Sequence, residues 1–597
     1  MKLSNIKYMA VATLLGLFMA SCSDFLDRPN EDGYNVDNYY KTNEQCYSGV
    51  NYLYNSPWYD FQRGFIKVGE VLSGNYYWGS SPYMNFSVNG SDQDLVNMSY
   101  SLWAVIGHAN TVYTNLKNAS ASQDVINQCM GECLTWKAFA YFFLVRSFGD
   151  VPIIHDNGAE LVSGSYITAK KVKRSDVYEY IIMTLEKAME LLQKKAPQAG
   201  RIDYYAAEAL LAKVYLTKAG VTGSLNASDL TNAAKYAKDV IDNSGRKLLE
   251  NYGDVWKLSE SLNEESLIAW RWTVGANWTS QNTLQSDLAM EGMDEFGDCW
   301  GGWNGLSVDI QEAFGIKLLE NQPDAWLNNV DSRLKATMFL PGYVYDYLWA
   351  DHGGYDYLKF IYDKSYNEAA TGQLQAPTGA NCAKHLYGNT ADHVAAMNIS
   401  PARMSYALPT HILRLSDVYL IYAEAMLGTG RTTSTSADVL DAFYAVHHRA
   451  VPSSNYPTSV SWEDIWKERR LEFAMEGDRW YDFVRVSYYD PAYCVQELTA
   501  QKRNAYWGLD ALYKAYFQSG SWKVDASKQG YDSSVAPPNV VVMLRQDSEV
   551  SNIGYFALPM CAEDVLFNPN LGSNVEGEHV NVREIYSYSS IKSKIVI

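Results

Sequence analysis

Residues 467–485, KERRLEFAMEGDRWYDFVR, set dense charge among large apolar side chains in a helical rhythm. Leu471 and Met475 lie four apart, on one face of a helix, with Phe473 and Trp480 nearby. The spacing predicts ion pairs along that helix, Arg469 with Glu472 or Glu476. Gly477 predicts its stop, because glycine accepts positive φ. Nothing in the stretch is nucleophilic. It reads as a structural ion-pair cluster that pins a helix end to the rest of the fold, and a chain that carries it must bury charge in pairs.

The remaining periodicity is helical and recurs in pairs. Residues 175–194 carry Val177, Ile181, Leu185 and Met189 on one stripe behind Ser175 as N-cap. Residues 203–219 follow, rich in alanine, and Val177 to Leu210 spans roughly one tetratricopeptide period of ~34 residues. A further helix is expected over 228–243, capped by Ser228 and stopped near Gly245. The segments 99–118 and 127–148 form an earlier pair, and 412–427, 436–449 and 461–476 resume the pattern. Helices of this kind bury one stripe each by stacking on neighbours. Between them lie two long irregular regions, about 245–411 and 486–560, rich in Gly, Trp, Tyr and Asn, with ESLIAWRWTV at 265–274 as an expected strand. Loops of this length in a compact fold are usually functional.

The N-terminus is expected to address the chain. Lys2 and Lys7 precede a mostly apolar run, Met9–Met19, too short to span a bilayer and read as a secretory signal. The run ends Phe18-Met19-Ala20-Ser21-Cys22, small residues before a cysteine, the pattern of a bacterial lipobox. Cys22 is the expected lipidation site, with acyl chains contributing ~0.8 kcal/mol per buried methylene. The expected division is a signal peptide at 1–21, a lipidated tether at 22–40, and a single domain at 41–597. Its helical scaffold covers about 41–244 and 412–485, and its ligand loops about 245–411 and 486–560. A formal net charge of −19 argues against a basic nucleic-acid face. Cys129 and Cys133 lack a second ligand pair, so no zinc site is expected. Most cysteines read as small buried residues.

The 467–485 stretch fits the pattern ER-x-x-EFA-x-EG-x-RW-x-D-x-x-R, and four further segments follow a matching order: SCSDFLD at 21–27, AYFFLVRSFGDVPII at 140–154, ILRLSDVYLIYAEAM at 412–426 and YFALPMCAEDVLFNPNL at 555–571. In these segments the chain strongly resembles the SusD/RagB family of outer-membrane nutrient-binding lipoproteins. The resemblance implies a mainly α fold, with tetratricopeptide-like helix pairs forming a right-handed superhelical scaffold and long irregular insertions bearing a few short strands. It also implies a non-catalytic protein seated as a hinged lid over a SusC-like TonB-dependent outer-membrane transporter, lipid-anchored and facing the cell exterior, with its ligand held on the variable loops.

No GxSxG, HExxH, Walker lysine loop or EF-hand loop is present, so neither an enzyme nor a cofactor is expected. The acidic run Glu291, Asp294, Glu295, Asp298 reads as a solvated loop rather than a cation site. What the chain offers is aromatic: 46 Tyr and 17 Trp against 19 Phe, with eight of the tryptophans between 256 and 349. Trp103 and Trp136 fall on helices, Trp270 and Trp272 on one face of the expected strand, and Trp480 in the signature, so all five read as packing. Trp78, Trp278, Trp300, Trp303 and Trp349 lie instead in turn-like sequence beside Gly, Asn, Ser and Asp. Indole and phenol faces stack on the C–H face of a pyranose, whose hydroxyls need donors and acceptors at the edge. Asn75, Asn85, Asn277, Asp298 and Asn304 are the nearby candidates. The family's glycan binders carry an aromatic platform on comparable loops, here YYWGSSPY at 76–83 and GDCWGGWNG at 297–305. The expected glycan-binding residues are Trp78, Tyr83, Trp278, Trp300 and Trp303. A RagB-like peptide-binding protein is the alternative, and a purely structural subunit of the transporter a third reading.

Overall fold

The computed structural model describes residues 39–535, 537–546 and 554–588. The expected signal peptide, Cys22 and nearly all of the expected tether fall outside them. The scaffold is helical. Helix α1 (Gln93–Leu116) packs on α2 (Gln123–Phe148), and α3 (Arg174–Leu191), α4 (Tyr204–Lys218), α5 (Ala227–Asn243), α6 (Leu415–Met426) and α7 (Ala437–Ala450) follow, each against its predecessor. Every residue of α2 from Gln128 to Phe148 is buried, as an all-round apolar helix must be. Its few charges are met internally: Glu132 by Arg201 at 2.8 Å and Arg146 by Asp478 at 2.8 Å.

Several local expectations shift. Ser228 lies inside α5, whose cap is the Asn226 side chain accepting from Asp229 N, and α3 starts after Lys173 without a side-chain cap. The segment 412–427 is not all helix. Arg414 ends a strand, Thr410–Arg414, and α6 begins at Leu415. β-Branched and aromatic neighbours on Ser266–Trp270 supply the pairing partner that converts it. Trp270 and Trp272 are both buried as expected, with rings 6.1 Å apart.

The strands are short and pair in twos. We number those that matter β1 (Tyr76–Tyr77), β2 (Ser266–Trp270), β3 (Gly305–Leu306), β4 (Thr410–Arg414), β5 (Tyr506–Trp507) and β6 (Gly530–Tyr531). β2 runs antiparallel to β4 and β5 to β6, and β1 joins β3 with Tyr76 opposite Leu306 and Tyr77 opposite Gly305. The seven cysteines of the described residues are free and buried.

The 467–485 stretch forms α8 (Trp462–Glu472), a turn, and α9 (Arg479–Ser487), with Gly477 at φ 77° as the expected stop. Ion pairs run along α9, where Asp482 meets Arg485 at 2.9 Å, but the expected pairs of Arg469 with Glu472 or Glu476 do not form. Arg469 reaches Asp417 at 2.6 Å and Asp482 at 3.1 Å. Glu472 takes Arg414 at 3.0 Å and Arg449 at 2.5 Å, and Glu476 takes Arg414 at 2.8 Å and Lys384 at 3.0 Å. The helix packs its charged face inward, and its buried charges are met there by partners from other elements rather than by each other. Burial alone would raise the Glu472 carboxyl, but the surrounding Arg449, Arg414 and Arg333 outweigh it and hold it down to about 2.

Gly477 also allows a close approach. A Cβ there would come within 2.3 Å of the Phe65 ring, and one on Gly69 within 2.4 Å of the Gly477 backbone. This contact seats the signature turn directly on the segment that carries Arg63 and Lys67.

Candidate functional site

Two loops distant in sequence meet through β1 and β3. The pairing places Trp78, just beyond Tyr77, beside the turn that carries Trp300 and Trp303, just before Gly305. Gly305 is needed for this, since a Cβ there would lie 2.4 Å from the Ala380 carbonyl oxygen. Trp300 and Trp303 flank two buried glycines, so the backbone turns into the protein while the indoles stay outside. Trp278 stands on a separate turn capped by Asn277, whose side chain accepts from Ser280 N at 3.0 Å. Trp278, Trp300 and Trp303 are 48%, 40% and 52% exposed. Large indoles are seldom left this open, and these three are the candidates for ligand contact.

A polar strip links the aromatic groups. The half-buried Trp78 ring carries Lys67 Nζ 4.9 Å from its centroid. Lys67 is ion-paired with Asp94, and Arg63 stands 3.9 Å from the same carboxylate. Arg63 then donates from Nε to Asp287 Oδ2 at 3.1 Å and from Nη2 to Oδ1 at 3.2 Å. Asp287 Oδ1 also accepts from Trp300 Nε1 at 2.9 Å. Asp287 is the main reason that the Arg63 guanidinium is raised above its ordinary value. The strip therefore fixes Trp300 by its N–H and leaves its face open, while the half-exposed Arg63 offers further donors to solvent. Two cations and two anions leave it without net charge.

The sequence-predicted residues divide. Trp278, Trp300 and Trp303 are exposed and Trp78 borders them. Tyr83 is a correction: it is fully buried, donating its hydroxyl to Asp92 at 2.8 Å. Its phenol completes the cap of α1, so its sequence context, a turn, did not mean exposure. Trp349 is likewise buried, in a cluster with Tyr355 and Phe360. Among the expected polar partners, Asn75 and Asn304 are buried and Asp298 is held by Arg403 at 2.7 Å, whereas Asn85 and Asn277 are exposed.

Sequence reading missed Arg63, Lys67, Asp94 and Asp287. Only the four-residue spacing of Arg63 and Lys67, which puts both on one helical face, was visible beforehand. Also missed was Trp507, 46% exposed on the β5–β6 strand pair and laid over Gly530. Its strand is held to the 376–380 turn by Tyr506 N donating to the Pro377 carbonyl at 2.9 Å.

A SusD-like protein of Bacteroides ovatus is 31% identical over 580 residues, covering 95% of this chain and 97% of the relative. The chain belongs to the SusD family. Two family descriptions match it, "SusD family" over residues 318–576 and "Starch-binding associating with outer membrane" over residues 24–216. Among solved structures, a crystal structure with a xylogluco-oligosaccharide is 29% identical, with a TM-score of 0.73 over 90% of this chain and 99% of that one. A SusD-like carbohydrate-binding protein of Bacteroides fragilis, 19% identical, shares the fold at a TM-score of 0.65 over 89% of this chain and 99% of that one. In this SusD-like chain the signature stretch is therefore internal framework, and the exposed indoles lie on the loops where the resemblance placed the ligand.

Proposed function

We propose that this SusD-like protein is a cell-surface glycan-binding lipoprotein that captures oligo- or polysaccharide and delivers it to a SusC-like TonB-dependent transporter. The observation that carries the reading is the trio Trp278, Trp300 and Trp303, exposed beside an ion-paired, neutral polar strip. Indole faces serve the C–H face of a sugar ring, and the strip serves its hydroxyls. The xylogluco-oligosaccharide held by a structure 29% identical to this chain supports the ligand class. Each contact would be weak, and the repeating units of a polymer would add avidity. Anchoring follows from acylation of Cys22, and the outer-membrane association in the matching family description supports the location. We assign the protein no catalytic step. Both oxygens of Asp287 are held by Arg63 and Trp300, which suits a positioning carboxylate rather than an acid or base.

The test is retardation in native gels cast with a panel of polysaccharides, followed by calorimetry on the polymer that retards. Binding that Trp303→Ala abolishes supports the reading. Retention of a peptide mixture and of no polysaccharide would replace it.

A further inference from the structure

Between the exposed indoles lies a cleft of about 200 Å³. Trp300 forms one wall directly. Tyr59 forms the opposite wall, with the Trp278 ring against it at a centroid distance of 6.4 Å. Gln62, Ser286 and Asp287, all buried, line it from within. The volume falls below the ~300–1,000 Å³ usual for a drug-sized ligand, so it admits one ring and not a passing chain.

The lining is made for hydroxyl groups. Gln62 is 3% exposed; its Oε1 accepts from Thr283 N at 3.1 Å, and its Nε2 is closed off from the cleft, so the side chain shapes the floor rather than donating into it. Asn97 on α1 adds an amide at the rim, and Asp60 a half-buried carboxylate. Arg63 is the sole cation of the lining and is committed to Asp287. The remaining charge is negative, which repels a uronate or a sulfated sugar and suits a neutral one.

We propose that this cleft is a subsite for a single neutral sugar carried as a side branch, so that the protein selects branched over linear glycans. This rests on the glycan reading above. The main chain lies on the exposed faces of Trp278 and Trp303, outside the cleft. A pocket closed within by buried side chains receives only a terminal unit, and beneath a chain stacked on the platform that unit is a branch.

The experiment is calorimetry of the full-length mature protein with xyloglucan, galactomannan and arabinoxylan oligosaccharides. Cello-, manno- and xylo-oligosaccharides of the same backbone length are the linear partners. For the backbone that binds, the branched form is expected to bind at least tenfold more tightly. Asn97→Phe, at a half-exposed helix position, fills the cleft and should erase that ratio while leaving the linear ligand and the melting temperature unchanged. Trp303→Ala should weaken both members of the pair. Equal affinity of the native protein for branched and linear forms overturns the subsite and leaves glycan capture standing, as does an equal loss of both forms in Asn97→Phe. Binding to none of the six overturns the subsite, and retardation by no polysaccharide of the gel panel overturns glycan capture with it.

Discussion

Arg470 Nε donates to Asn75 Oδ1 at 3.0 Å, across 395 positions of sequence. Asn75 in turn donates to Glu70 at 2.9 Å, and Glu70 accepts from Gly477 N at 2.7 Å. Arg470 and Gly477 belong to the signature stretch, and Asn75 immediately precedes β1 and Trp78. The framework and the loop that bears Trp78 are thus one hydrogen-bonded unit. Burial pushes the Glu70 carboxyl up to about 7, and these donors are what it rests on.

Arg470→Ala should therefore loosen the loop that bears Trp78. Leaving the buried Asn75 oxygen without its donor costs about 1–3 kcal/mol, and glycan affinity should fall with it. Thermal melts and calorimetry read the two effects. Unchanged affinity beside a lowered melting temperature would show that the loop is held by β1–β3 pairing alone.

Glu472→Ala should cost about 3 kcal/mol, because it removes a carboxylate shared by the buried Arg414, Arg449 and Arg333 and leaves their cluster under-compensated. Arg479→Ala should also destabilise, through loss of the guanidinium stacked 3.8 Å from the Trp466 ring centroid. Neither touches the exposed indoles. A wild-type melting temperature with lost binding in either variant would contradict the framework role.

Acid should unfold the chain through the same cluster. Glu472 is held at about 2 against an ordinary 4.5. The folded value is depressed, so its contribution is fully present above about pH 4.5 and is lost as pH falls toward 2. Denaturant melts across that range should show a steep loss of stability in the wild type. In Glu472→Gln the slope should be shallower, and an identical slope would remove Glu472 from the acid transition.

Trp278→Ala, Trp300→Ala and Trp303→Ala should keep the fold, with stability changes near ~0.5 kcal/mol for surface positions. At least one should weaken binding of the cognate glycan by about 2 kcal/mol or more. Calorimetry beside thermal melts decides this. Full affinity in all three variants would move the site elsewhere, with Trp507 the next exposed indole to test.

Cys22→Ala should release the protein from membranes. Metabolic labelling with a fatty-acid analogue, followed by membrane fractionation, measures it. Absence of label on the wild type would overturn the lipoprotein reading.

The sequence by itself determined the helical scaffold, because apolar spacing over 175–194 or 127–148 admits little but a buried stripe. It also determined the family, because five ordered segments carry it, and the positions of Trp278, Trp300 and Trp303 in turns. It did not determine which charges pair. Arg469 had acceptable partners one turn away, and only the packing of α8 against α6 and α9 gave it Asp417 and Asp482. Nor did it separate Tyr83 from Trp303. Both sit in Gly- and Ser-rich sequence, and exposure was decided by whether a distant helix end, here Asp92, claimed the side chain. The strip of Lys67, Asp94, Arg63 and Asp287 was least legible. Its members come from three separated segments, and only tertiary packing brings their charges within reach of one another.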